Sequence, residues 1–205
     1  MSYKTLKSYA EFSITERKSE FIGYCAPVKT EEEAVAFVNS IKKKHSDARH
    51  NVYAYVLREG FKERFSDDGE PHGTAGMPVL DSIRKAGLTD SVVVVTRYFG
   101  GILLGTGGLV RAYTAAAVGA IKESGVAEVG EFALISVKCG YSEYQKIMPL
   151  VSSLGARTRD SDFGSDVRLT LMVVKPEAEG FIDAVIESTN GRASAEIIGE
   201  ITDFI

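Results

Sequence analysis

An α+β protein of two domains is what the sequence predicts, and three observations predict it. A β-branched run at residues 92–96 leads through a glycine-rich loop into an Ala- and Val-rich helical stretch. Composition restarts at residues 125–130, and beyond that point the patterns come in the order strand, helix, strand, strand, helix, strand. That order is ferredoxin-like, with two helices covering one face of a four-stranded antiparallel sheet. The expected division is an α/β domain over 1–128 and a ferredoxin-like βαββαβ domain over 129–205, and 205 residues suffice for two compact cores.

Taken in order, residues 20–26 carry the β-branched and aromatic content of a strand. Thr30 with Glu33 three positions on is a capping-box signature, and Ala34, Phe37, Val38 and Ile41 follow at helical spacing. Lys42, Lys43 and Lys44 favourably oppose the negative end of the helix dipole, which places the helix end near residue 45. Residues 51–57, where Val52, Ala54 and Val56 alternate with Tyr53 and Tyr55, form a hairpin with 61–65 about Glu59-Gly60. A helix then starts near Met77 with Pro78 in its first turn and stops at Gly87. The unbroken run at 92–96 reads as a strand buried on both faces, and helical composition resumes over 109–121. In the second part, strands are expected at 132–139, 156–160, 167–174 and 195–202, and helices at 142–154 and 177–189.

Composition narrows the function classes. The chain is 44% hydrophobic and 25% charged, as in an ordinary soluble protein. No run approaches the roughly 20 apolar residues of a membrane helix, and Met1-Ser2-Tyr3-Lys4 does not open a signal peptide, so no membrane partner and a cytoplasmic location are expected. Cys25 and Cys139 lie in separate apolar stretches and read as small buried side chains rather than a disulfide or a zinc site. Residues 1–128 hold 17 Lys and Arg against 16 Asp and Glu, whereas 129–205 hold 7 against 12. An anionic partner should therefore prefer the N-terminal part.

Three segments could carry chemistry. The loop through Gly100, Gly101, Gly105, Thr106, Gly107 and Gly108 can turn amide N–H groups toward one point ahead of a helix N-terminus, a ready anion site. Arg97 and Arg111 bracket it, and an arginine holds phosphate bidentately. The same glycines would also serve tight turns alone. A Gly-Lys-Ser/Thr triplet is missing, and Val110 breaks the dinucleotide spacing. The second segment gathers Asp67, Asp68, Glu70 and His72, which are weak metal candidates and also ideal turn chemistry. The third sets Arg49, His50 and Tyr53 at a strand start, where arginine and aromatics can contact phosphate and stack bases. Hydrolase, zinc-protease and redox signatures are missing.

Four blocks occur in order: Lys18-Ser19-Glu20-Phe21-Ile22-Gly23; Ala48-Arg49-His50-Asn51; Phe65-Ser66-Asp67-Asp68-Gly69-Glu70-Pro71-His72-Gly73-Thr74-Ala75-Gly76; and Val95-Thr96-Arg97-Tyr98-Phe99-Gly100-Gly101, running to Leu109-Val110-Arg111-Ala112-Tyr113. Together they resemble the IMPACT family in its bacterial YigZ/YvyE form. The resemblance implies an N-terminal domain like domain 2 of a ribosomal small-subunit protein and domain IV of elongation factor G, and a ferredoxin-like C-terminal domain. Eukaryotic IMPACT proteins regulate translation initiation by competing for the activator of a stress-responsive kinase through an additional N-terminal domain, so that role is not carried over. The expectation is a non-catalytic, translation-linked regulator without cofactor that binds structured RNA or the ribosome. Arg49, His50, Arg97 and Arg111 would contact phosphate and Tyr53 or Tyr98 would stack. Two alternatives stay open: a small-molecule phosphate-binding enzyme using the glycine loop, with Asp67, Asp68 or Glu70 on magnesium, and a protein-interaction adaptor.

Overall fold

The computed structural model describes residues 2–205, which divide into two compact units, Tyr3–Glu128 and Val129–Ile205, the latter joined by Ser2. In the first unit, β1 (Tyr3–Leu6), β2 (Ala10–Glu16), β3 (Ser19–Pro27), α1 (Glu31–Lys44), β4 (His50–Leu57), β5 (Lys62–Ser66), α2 (Gly76–Lys85), β6 (Ser91–Tyr98) and α3 (Thr106–Ser124) follow in turn. Five of these strands form one sheet in the order β2-β3-β6-β4-β5, every neighbouring pair antiparallel.

Central β6 shows why its sequence is unbroken. Val93 and Val95 pack with Val79 and Ile83 of α2 and Tyr113 and Ala116 of α3, while Val92 and Val94 pack with Ala34, Val38 and Ile41 of α1. Such a run usually marks a parallel strand. Here the sheet is antiparallel, and helices on both faces produce the same double burial.

Helix α1 begins as expected, with the Thr30 hydroxyl accepting the Glu33 amide at 3.2 Å. The return arm reaches one residue further back than in a capping box: Glu33 Oε2 accepts the Lys29 amide at 2.7 Å. Strands β1 and β2 were not expected. The two-residue turn between β2 and β3 is made by Arg17 (φ 46°) and Lys18 (φ 65°), so the glycine or asparagine that usually announces such a turn is missing. Helix α3 starts three residues earlier than predicted, so Gly107 and Gly108 belong to its first turn and not to a loop.

The second unit contains β7 (Val126–Cys139), which begins in the first unit, then α4 (Tyr141–Ser153), β8 (Arg157–Phe163), β9 (Val167–Val174), α5 (Ala178–Ser188) and β10 (Ser194–Phe204). Its strands pair in the order β10-β7-β9-β8, all antiparallel, and Ile135, Val137, Leu169 and Leu171 meet Ile147, Val151, Phe181 and Val185 of the two helices. This is the ferredoxin-like arrangement the sequence predicts, and the chain is α+β. The break expected at residues 125–130 is narrower: Gly125 (φ 73°) ends α3 and the strand starts at Val126. Register shifts occur in β8 at Thr158/Asp160 and in β10 at Ile197/Gly199. Among the described residues, no helix is long and apolar enough to cross a membrane.

Candidate functional site

Side chains alternate along a strand, so Arg97 and Tyr98 leave β6 on opposite faces. Arg97 follows Val93 and Val95 onto the α2/α3 face, and Tyr98 follows Val94 onto the α1 face. The same alternation in β4 puts His50 with Val52 and Ala54, and Tyr53 with Tyr55 and Leu57. The structure therefore does not bring the two tyrosines to the arginine.

Tyr53 stacks on Tyr55 with centroids 6.4 Å apart and interplanar angle 7°. Tyr98 belongs to a directional chain. Lys44 donates to Tyr24 (3.4 Å), Tyr24 to His45 Nε2 (2.7 Å), His45 Nδ1 to Tyr98 (2.9 Å) and Tyr98 to Asp47 (2.9 Å). This order follows because Asp47 only accepts and Lys44 only donates. Burial, then the Lys44 charge, lowers the His45 pKa and favours the neutral ring the chain requires.

On the other face, Arg49, His50, Glu70, Arg97, Phe99 and Leu103 line a pocket of about 260 Å³. Arg97 is only 6% exposed. Its guanidinium lies over the rings of Phe21 (5.4 Å) and Phe99 (5.5 Å), and Nη1 donates to Glu70 Oε1 at 2.6 Å. Buried Nε has no acceptor among the described residues. Tyr113 donates to the same Glu70 oxygen at 2.7 Å, and burial followed by the adjacent carboxylate pushes its phenol far above the ordinary range, so it stays protonated. His50 Nδ1 donates to the Asp68 carbonyl at 2.8 Å, and Nε2 stands 4.0 Å from Glu70 Oε1. Arg49 is exposed at the rim and makes no ion pair among the described residues.

The acidic segment between β5 and α2 builds this pocket instead of gathering around one point. Asp67 accepts the amides of Gly73 (2.9 Å), Ala75 (3.1 Å) and Gly76 (2.8 Å), tying the loop to the start of α2. Asp68 accepts the Asn51 amide at 2.7 Å and pairs with Lys42 at 2.7 Å. Glu70 turns into the pocket, and His72 is almost wholly exposed, 3.7 Å from Asp67. No group of three or more His, Cys, Asp or Glu side chains among the described residues is arranged to hold a metal ion.

The glycines separate into roles. A Cβ on Gly100 would collide with the Lys18 backbone, and the Gly100 amide is spent on Ser19 Oγ at 3.1 Å, so it is not turned to a ligand. Gly101 (φ 83°) and Gly105 (φ 72°) occupy left-handed positions, Gly105 capping α3 ahead of exposed Thr106. Arg111 is exposed on α3 and is not part of the pocket wall. Sequence reasoning missed Phe99, Leu103 and the buried hydroxyl of Tyr113. The period of two was the available signal for Phe99, since it places positions 97 and 99 on one face.

The comparisons agree with these blocks. The Impact N-terminal domain matches residues 17–121, and a domain of unknown function (DUF1949) matches 137–192. The IMPACT family member YvyE of Bacillus subtilis (strain 168) is 37% identical over 202 residues, covering 98% of this chain and 93% of its own. The IMPACT family member YigZ of Escherichia coli (strain K12) is 34% identical over 187 residues, covering 90% and 92%. A crystal structure of a hypothetical protein superposes with TM-score 0.63 at 31% identity, covering 97% of this chain and 98% of that one. On the domain matches and on identity across nearly the full length, the chain belongs to the IMPACT family.

Proposed function

We propose that the protein is a non-catalytic, translation-linked regulator in the cytoplasm whose N-terminal domain, residues 1–128, binds structured RNA or the ribosome. The observation that carries the reading is the pocket at the end of β6, where, among the described residues, exposed Arg49 at the rim has no ion pair and buried Arg97 keeps an N–H without an acceptor. Other exposed cations adjoin it: Arg17 donates to the Leu103 carbonyl at 3.5 Å, and Lys18 packs its backbone on Gly100. Exposed arginines beside apolar walls suit phosphate contact combined with stacking.

Magnesium-dependent phosphoryl transfer is less well supported, because Asp67, Asp68 and Glu70 already hold amides and cations. An adaptor reading draws on one specific observation, the exposure of Ile102 and Leu103 on the loop.

The test is a salt series on ribosomal subunits and a structured RNA. Affinity should fall with salt as phosphate contacts displace counterions. The double variant Arg17→Ala, Arg49→Ala should weaken binding across sequences and reduce the salt slope by about one per lost contact. Both side chains are exposed, so the fold is kept. Arg97 is a poor choice, since removing one partner of a buried ion pair typically costs about 3–5 kcal/mol. Salt-independent binding, or none by the folded protein, would remove the RNA reading.

A further inference from the structure

The pocket floor is not simply cationic. Arg97 and Glu70 neutralise each other across 2.6 Å. Glu70 Oε1 is saturated by Arg97 and Tyr113, while Oε2 has no hydrogen bond among the described residues. His50 directs Nδ1–H to the Asp68 carbonyl, so in the neutral form of the ring Nε2, 4.0 Å from Glu70 Oε1, is an acceptor. With that ring neutral, the floor sets two acceptors next to the guanidinium donors of Arg97, whose Nε has no acceptor among the described residues. A phosphate there would face a carboxylate. A planar group with two donors and one acceptor along an edge would be matched.

Size and walls agree. About 260 Å³ is below the range for drug-sized ligands and suits one nucleobase. Phe99 is half exposed and Leu103 largely so, giving apolar surface for a ring. Among the RNA bases, guanine alone carries an acceptor and two donor groups, O6, N1–H and N2–H, on its Watson–Crick edge. Adenine and cytosine offer one amino group each, and uracil one N–H between two carbonyls.

We propose that this pocket binds an unpaired guanine, with Phe99 stacking on the base, Glu70 and His50 accepting its N–H groups, Arg97 donating to O6, and Arg49 meeting the attached phosphate. The proposal deepens the RNA reading and rests on it for the source of the guanine, which is either an RNA or a free nucleotide.

The experiment uses the full chain. Titration calorimetry compares 5′-GMP, AMP, CMP and UMP, and a second arm compares RNA hairpins that differ only in a single bulged G or bulged A. GMP should bind about tenfold more tightly than the others. Phe99→Ala should weaken GMP about fivefold or more at unchanged melting temperature. Glu70→Gln leaves buried Arg97 without its counter-ion, so it is used only where circular dichroism and thermal melting show the native fold, and there it should remove the preference for GMP. A preference for both GMP and the bulged G supports the pocket and assigns RNA as the source. GMP preference without hairpin binding supports the pocket, assigns free guanine nucleotides and removes the RNA reading. Equal or absent binding of the four nucleotides with no bulged-G preference overturns the guanine pocket, as does indifference to Phe99→Ala, and hairpin binding then separately decides the RNA reading.

Discussion

Asp67 is a single side chain that fixes a ten-residue segment. Burial alone would raise its carboxyl, yet the amides of Gly73, Gly76 and Ala75, with His72 beside it, hold it below the ordinary aspartate range. A carboxyl whose folded-state pKa lies below its unfolded value of about 3.9 contributes stability that is complete above that value and lost as pH falls through the folded one. Asp67→Asn keeps the shape and removes the charge. It should cost about 1–3 kcal/mol at neutral pH in urea unfolding and flatten the acid side of the stability profile, below about pH 5. A variant whose profile matches the parent would show that the tether is not the carboxylate. The turn character of this segment was legible in Asp67-Asp68-Gly69-Glu70-Pro71. The inward turn of Glu70 was not, because its partners Arg97 and Tyr113 lie 27 and 43 positions away.

At the scale of elements, the stretch from Gly100 to Gly108 divides between a loop and a helix, and two alanine substitutions should separate them. Gly100→Ala drives a methyl into the Lys18 backbone and should destabilise the protein by about 1–3 kcal/mol. Gly107→Ala meets only the end of the Arg111 side chain, at 3.7 Å, and should stabilise by up to about 1 kcal/mol through helix propensity. Equal effects in thermal unfolding would contradict this division. The helix start was misplaced because glycine disfavours helix, whereas burial of Leu109, Ala112 and Tyr113 on α3 overrides that local preference. The hairpin of β2 and β3 escaped notice for a related reason. Its strand at the sheet edge offers only Phe12, Ile14 and Thr15 as β formers, and two positive-φ residues without glycine make its turn. Strands and helices with two buried faces or clear caps, such as β6 and α1, were read directly because pattern and packing agree in them.

For the whole molecule, each unit has cores of its own. Separately expressed fragments 3–128 and 129–205 are therefore each expected to fold, and RNA binding should accompany the first, whose charge is near balance, and not the acidic second. Filter binding at low salt checks this, and retention by 129–205 alone would move the function to the acidic unit. The ferredoxin-like order could be read in sequence because six regular elements alternate with short connections. The strand order of the first sheet could not, since nothing local says that β6 inserts between β3 and β4. The breaks in register at Thr158/Asp160 and Ile197/Gly199 bear on how copies of the protein meet one another. Both fall in the strands that border the second sheet, and β8 adds Arg157, Arg159, Asp160 and Asp162 along an entirely exposed row. A kinked, charged border is a poor template for a neighbour's backbone, so crowding at high concentration is not expected to string these molecules together edge to edge.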